Sequence, residues 1–97
     1  MNEKARILVI DDDESIRESL AALLQAKGYV ADAARNGKEA IAMSNSNLYN
    51  LALIDIRLPD MEGTELLTAM RETTPRMIKI IVTGYPALQN AVRAVNQ

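Results

Sequence analysis

Four short apolar runs punctuate the chain, and each is followed by a segment whose apolar residues recur at helical spacing. The first run, "ILVI" at residues 7–10, opens directly onto Asp11, Asp12, Asp13 and Glu14. Ile16, Leu20, Leu23 and Leu24 then repeat at helical intervals, with Asp13 placed as a cap before them and Gly28 just past the end. This pattern predicts a strand followed by a helix. Residues 29–33 predict a second strand; Asn36-Gly37 reads as a turn, and Ala40, Ile41 and Met43 lie on an alanine-rich second helix. "NSNLYN" reads as a polar loop. The run at 51–54 is aliphatic throughout and ends in Asp55, the pattern of a strand covered on both faces. The loop "IRLPDMEG" leads to a third helix with Leu66, Leu67 and Met70, which stops before Pro75. Residues 78–82 predict a fourth strand ending at Thr83 and Gly84. Pro86 suits the first turn of a last helix, whose stripe is Leu88, Ala91, Val92 and Val95.

Strand-helix alternation of this kind implies right-handed crossovers and a parallel sheet with helices on both faces. In such a sheet ligands bind beyond the carboxyl ends of the strands, and those ends carry Asp11, Asp12, Asp55 and Thr83. The 97 residues, 48% of them hydrophobic, suit one small domain over 1–97, with no linker or low-complexity segment dividing it.

Charge and composition narrow the chemistry. The net charge is −2 and the 11 basic residues are spread along the chain, so no footprint for nucleic acid or an anionic membrane appears. With neither cysteine nor histidine, the chain has no disulfide framework, no zinc site of the usual kind and no histidine acid/base catalysis. The first apolar run is too short for a secretion signal, and no segment approaches a membrane span; the expected compartment is the cytoplasm.

Alone, "DDDE" reads as a solvated helix N-terminus whose carboxylates satisfy free N–H groups and the helix dipole, a role that suits Asp13 and Glu14. Asp55 is different, because it ends an aliphatic strand that would lie against the first. Carboxylates converging there repel one another unless a cation intervenes, and an all-oxygen donor set suits Mg²⁺ together with phosphate oxygens. A carboxylate beside Mg²⁺ can act as nucleophile and form an acyl phosphate. The Thr83 hydroxyl could bond an oxygen of that group, although alone it reads as a β-branched residue closing a strand. Pro59 and Gly63 are, singly, ordinary turn residues.

In order, "VIDDDESIR", "LALIDIRLPDMEG" and "IIVTGYP" make the chain resemble the receiver domain of two-component response regulators over its whole length. The resemblance implies a flavodoxin-like doubly wound sheet of order 2-1-3-4-5. It implies Asp55 as phosphoacceptor, Asp11 and Asp12 as the acidic pair and Thr83 as switch hydroxyl. Asp12 and Asp55 would bind Mg²⁺ directly with the main-chain carbonyl of Arg57, and Asp11 would act largely through water. Arg57 and Tyr85 would flank the mouth of the site and tune the phosphoryl lifetime, while Pro59 and Gly63 shape the loop. The implied donor is a phosphohistidine on a sensor histidine kinase or a phosphotransfer protein, and the implied output domain lies beyond Gln97.

The family pattern continues into a fifth strand and helix, with a lysine after that strand and a switch aromatic on it. By that resemblance the chain is expected to stop after the fourth helix, with those elements missing. Lys79 is no substitute for the lysine, since it lies inside the fourth strand. The expected consequences are an exposed edge at "IKIIVT", a partly wet stripe on the first helix, and self-association through these surfaces or their cover by a partner or an exchanged segment. Two other readings stand beside this one: a receiver-like interaction module that is not phosphorylated, and an aspartyl-nucleophile phosphatase. The second usually needs an aspartate two residues after the nucleophile, where this chain has Arg57.

Overall fold

The computed structural model describes residues 4–82. Four parallel strands, β1 (Arg6–Ile10), β2 (Val30–Ala34), β3 (Leu51–Asp55) and β4 (Ile78–Val82), form one sheet in the order β2-β1-β3-β4. Helices α1 (Glu14–Ala26), α2 (Gly37–Ser46) and α3 (Gly63–Thr73) make the crossovers. The sheet is therefore of the flavodoxin type, with β1 and β3 side by side at its centre.

Side-chain alternation divides the core into two layers. Leu8, Ile10, Ala52 and Ile54 pack with Ala40 of α2 and with Leu66 and Met70 of α3. Ile7, Val9, Leu51 and Leu53 pack on the other face with Leu20 and Leu24 of α1. Each buried aliphatic side chain contributes about 1.5–3 kcal/mol. That anchoring fixes β1 against β3, and so fixes the residues that leave their carboxyl ends.

Helix termini follow local side-chain chemistry. Asp13 caps α1 by accepting from the Ile16 N–H at 3.1 Å. After α1, Gly28 adopts φ +96, the left-handed turn that only glycine takes without strain. Asn36-Gly37 is not a turn but the start of α2, because the Asn36 side chain accepts from the Glu39 N–H at 2.8 Å and so closes a helix N-terminus. The second strand begins one residue later than its pattern predicts.

The expected polar loop "NSNLYN" is shorter than its composition suggests. Asn45 and Ser46 belong to α2, and Tyr49 is only 6% exposed. Burial is available to Tyr49 because its hydroxyl donates to Asp32 Oδ2 at 2.7 Å and the Arg6 guanidinium sits 5.5 Å from its ring centre. Burial, and then the bond to Asp32, push the phenol up to about 12. The α1 stripe is narrower than its sequence pattern, with Leu20 and Leu24 buried but Leu23 42% exposed. At the margin of the described sheet, β4 is half-buried, unlike β1 and β3. No helix among the described residues is long and apolar enough to cross a membrane. Thr83, Gly84, Tyr85 and the expected last helix from Pro86 lie outside the described residues.

Candidate functional site

Register places the acidic residues together. Ile10 pairs with Ile54, so the next residues, Asp11 and Asp55, leave adjacent strands at the same level, and Asp12 follows. Asp11, Asp12 and Asp55 each present a carboxylate oxygen within 4.8 Å of the others. Asp13 turns away into the α1 cap, and its N–H donates to Asp11 Oδ1 at 2.9 Å. Arg17 Nη1 donates to the main-chain carbonyl of Asp11 at 2.9 Å and secures the β1–α1 connection. Neither the Asp13 role nor the Arg17 role needs an external ligand.

Electrostatics at this corner are unfavourable for three anions. Partial burial pushes the Asp11 carboxyl up, and the charges of Asp55, Asp12 and Asp13 add to it against the bond from Asp13 N–H. Burial also pushes Asp55 up, with Asp12 acting in the same direction and the N–H groups of Arg57 and Ile56 opposing. The donor set is wholly oxygen, half-exposed and short of positive charge, which is what a small hard divalent cation requires. Mg²⁺ therefore fits the residues present.

The loop between β3 and α3 shapes the floor of the corner. Gly63 N–H donates to the Ile56 carbonyl at 2.7 Å, and Leu58 N–H donates to the Met61 carbonyl at 3.1 Å. A Cβ on Gly63 would overlap the carbonyl oxygen of Asp55, a backbone atom that cannot swing aside, so only glycine fits beneath the end of β3. Pro59 is exposed in the turn of this loop. The Arg57 side chain is exposed, and its N–H approaches Asp55 Oδ1 at 3.5 Å, a weak bond at best. Lys79 lies toward the opposite end of the sheet, donating to the carbonyls of Thr74 and Met77. Burial in this position lowers its ammonium. It takes no part in the acidic corner.

Of the residues expected at the site, the fold thus assembles Asp11, Asp12 and Asp55, with Arg57, Pro59 and Gly63 in the adjoining loop; Thr83 and Tyr85 lie outside the described residues. Sequence reading missed Asp60. Its Oδ1 accepts from Gly37 N–H and its Oδ2 from Lys38 N–H, each at 2.9 Å, so it joins the loop to the start of α2. The Pro59-Asp60 dipeptide signals only a turn, and nothing local announces partners more than twenty residues upstream.

The sequence pattern that describes the response regulator receiver domain matches residues 7–97. This chain belongs to that family. The receiver is 37% identical to the transcriptional regulatory protein ZraR of Klebsiella oxytoca over 96% of its own length and 21% of that protein's. It superposes on a CheY-like response regulator receiver domain from Methanospirillum hungatei JF-1 with a TM-score of 0.83 and 45% identity, covering 97% of this chain and 75% of that one. Response regulator TrrA of Thermotoga maritima, solved in complex with Mg(2+)-BeF, gives a TM-score of 0.76 and 28% identity, with 94% of this chain and 98% of that chain covered. The chain spans about a fifth of the length of the curated relatives it matches first. It is a receiver domain of two-component signalling, and its sheet order is that of its family.

Proposed function

We propose that this receiver accepts a phosphoryl group on Asp55 in an Mg²⁺-dependent transfer and so switches an output. The observation that carries this reading is the convergence of Asp11, Asp12 and Asp55 within 4.8 Å at the carboxyl ends of β1 and β3. On this reading Asp12 and Asp55 hold the cation with the main-chain carbonyl of Arg57, and Asp11 acts through water. When bound, Mg²⁺ offsets the charge of the carboxylates and of the incoming phosphoryl oxygens.

Asp55 supplies the nucleophile. One carboxylate oxygen forms the new O–P bond while the P–N bond of the phosphohistidine donor breaks, and the departing imidazole nitrogen keeps the electron pair. Arg57 N–H and Ile56 N–H oppose the upward push on Asp55 and favour its ionised, nucleophilic form. Asp11 and Asp12 offer no positive charge to the phosphoryl group, so their contribution is to the cation. Thr83 is assigned a phosphoryl oxygen by the family resemblance. The donor is a sensor kinase or phosphotransfer protein, because the chain has no histidine of its own. The greater length of ZraR and its relatives supports an output segment outside this chain, and the cytoplasm suits such a circuit.

The test is intact mass after incubation with acetyl phosphate, with and without Mg²⁺. The expected result is a gain of one phosphoryl group only with Mg²⁺, and none in Asp55→Asn. An unmodified wild type, or a labelled Asp55→Asn, would overturn the reading.

A further inference from the structure

The β3–α3 loop is fastened from outside as well as from within. Its inner bonds are the two main-chain contacts that close it, Gly63 N–H to Ile56 and Leu58 N–H to Met61. Outward, the Asp60 carboxylate bridges the first two N–H groups of α2, Gly37 and Lys38, with one oxygen to each at 2.9 Å. Those N–H groups have no acceptor within the helix, and the positive end of the helix dipole favours an anion there. The bonds hold the Asp60 carboxyl below the usual carboxylate range, so it is ionised at neutral pH. Beside it the Met61 side chain lies across Gly37, so close that a Cβ at that position would overlap its sulfur. Two successive loop residues therefore dock on the same helix end. Asn36 caps that helix separately, through a hydrogen bond that its side chain accepts from Glu39 N–H.

The geometry points to Asp60 as a positioning residue: it locks the β3–α3 loop to α2 and thereby sets the conformation of the segment that leaves Asp55 and carries Ile56 and Arg57. The part that concerns Mg²⁺ rests on the phosphoacceptor reading above, whereas the lock itself does not. If loop conformation and cation binding are linked, the linkage is reciprocal. Loss of Asp60 weakens Mg²⁺ binding, and Mg²⁺ in turn protects the Gly37 and Lys38 amides that Asp60 engages.

Amide hydrogen exchange on the whole chain tests the lock without any metal. Asp60→Ala is expected to speed exchange at Leu58 and Gly63 by about fivefold, the worth of one net hydrogen bond in a local opening. Asp60→Asn, which keeps one acceptor oxygen, should fall between it and wild type. Asn36→Ala lowers the melting temperature by removing a cap from the same helix but should leave Leu58 and Gly63 unchanged. In the Mg²⁺ arm, titration followed by amide shifts should show affinity about tenfold weaker in Asp60→Ala, and in wild type Mg²⁺ should slow exchange at Gly37 and Lys38. Unaltered exchange at Leu58 and Gly63 in both Asp60 variants, or an equal rise in Asn36→Ala, would overturn the lock. Equal Mg²⁺ affinity in wild type and Asp60→Ala would overturn the positioning role. Absence of saturable Mg²⁺ binding in wild type would instead sink the phosphoacceptor reading, and the exchange comparison would still decide the lock.

Discussion

Replacing Asp55 by asparagine keeps the shape of the side chain and removes one charge from a triplet whose carboxylate oxygens lie within 4.8 Å of one another. Two unit charges at that distance repel by roughly 1 kcal/mol at water-like screening and by several times more where water is partly excluded. Asp12 is exposed and Asp55 only partly buried, so the screened figure governs. Loss of the pairs with Asp11 and Asp12 then stabilises the fold by about 1–2 kcal/mol, or roughly 4–16 °C in melting temperature for a domain of this size. The sign with pH follows from the upward shifts of Asp11 and Asp55 in the folded protein. A carboxyl raised on folding prefers to stay protonated, so the penalty is absent below its unfolded value near 3.9 and complete only above its folded value. Wild type should therefore lose stability as pH rises through the acid range, whereas Asp55→Asn should lose less. Added Mg²⁺ raises the wild-type melting temperature, because a ligand that binds only the native state stabilises it; it should do so far less in Asp55→Asn. Thermal unfolding at pH 7 and near pH 4, each with and without Mg²⁺, measures all of these. A variant less stable than wild type at pH 7, or a gap of the same size at both pH values, would refute the electrostatic account.

Gly63→Ala should cost about 1–3 kcal/mol and impair Mg²⁺ binding, because its Cβ meets the Asp55 backbone. Gly28→Ala, with φ +96 and open space around it, should cost about 1–2 kcal/mol through backbone strain alone and leave Mg²⁺ binding intact. Melting curves with Mg²⁺ titrations separate the two. Changing Arg57 and Tyr85 together to Ala should alter the phosphoryl lifetime several-fold by changing water access to the site; loss of label after donor removal measures it, and an unchanged rate would count against both. The half-buried β4, with Ile78 63% exposed, should support self-association, and sedimentation showing only a monomer at micromolar concentration would dispose of that expectation.

Much of this protein was legible along the chain because its determinants are local or periodic. The unbroken aliphatic runs that end in Asp11 and Asp55 announce doubly covered parallel strands, and burial on both faces bears this out. Asp13 and Gly28 mark the limits of α1 because a cap and a left-handed turn are each satisfied by one residue and its immediate neighbours. Register is less local, yet a doubly wound sheet with the strand order that the family resemblance implies brings Asp11 beside Asp55. What the chain alone did not disclose are contacts whose partners lie far apart in sequence. Tyr49 sits in a stretch of polar residues and is buried because Asp32 and Arg6 come to it across the sheet. Asn36-Gly37 has the composition of a turn and becomes a helix start, where Gly37 leaves room for Met61 and Asp60 supplies the missing acceptor. Gly63 is an ordinary loop glycine in sequence and an obligatory one in space, since the Asp55 carbonyl fills the place of its Cβ. In each case composition reports the propensity of one residue, whereas burial and hydrogen bonding depend on which groups tertiary packing brings within reach. Those groups were decided only when α2, the β3–α3 loop and the sheet closed on one another.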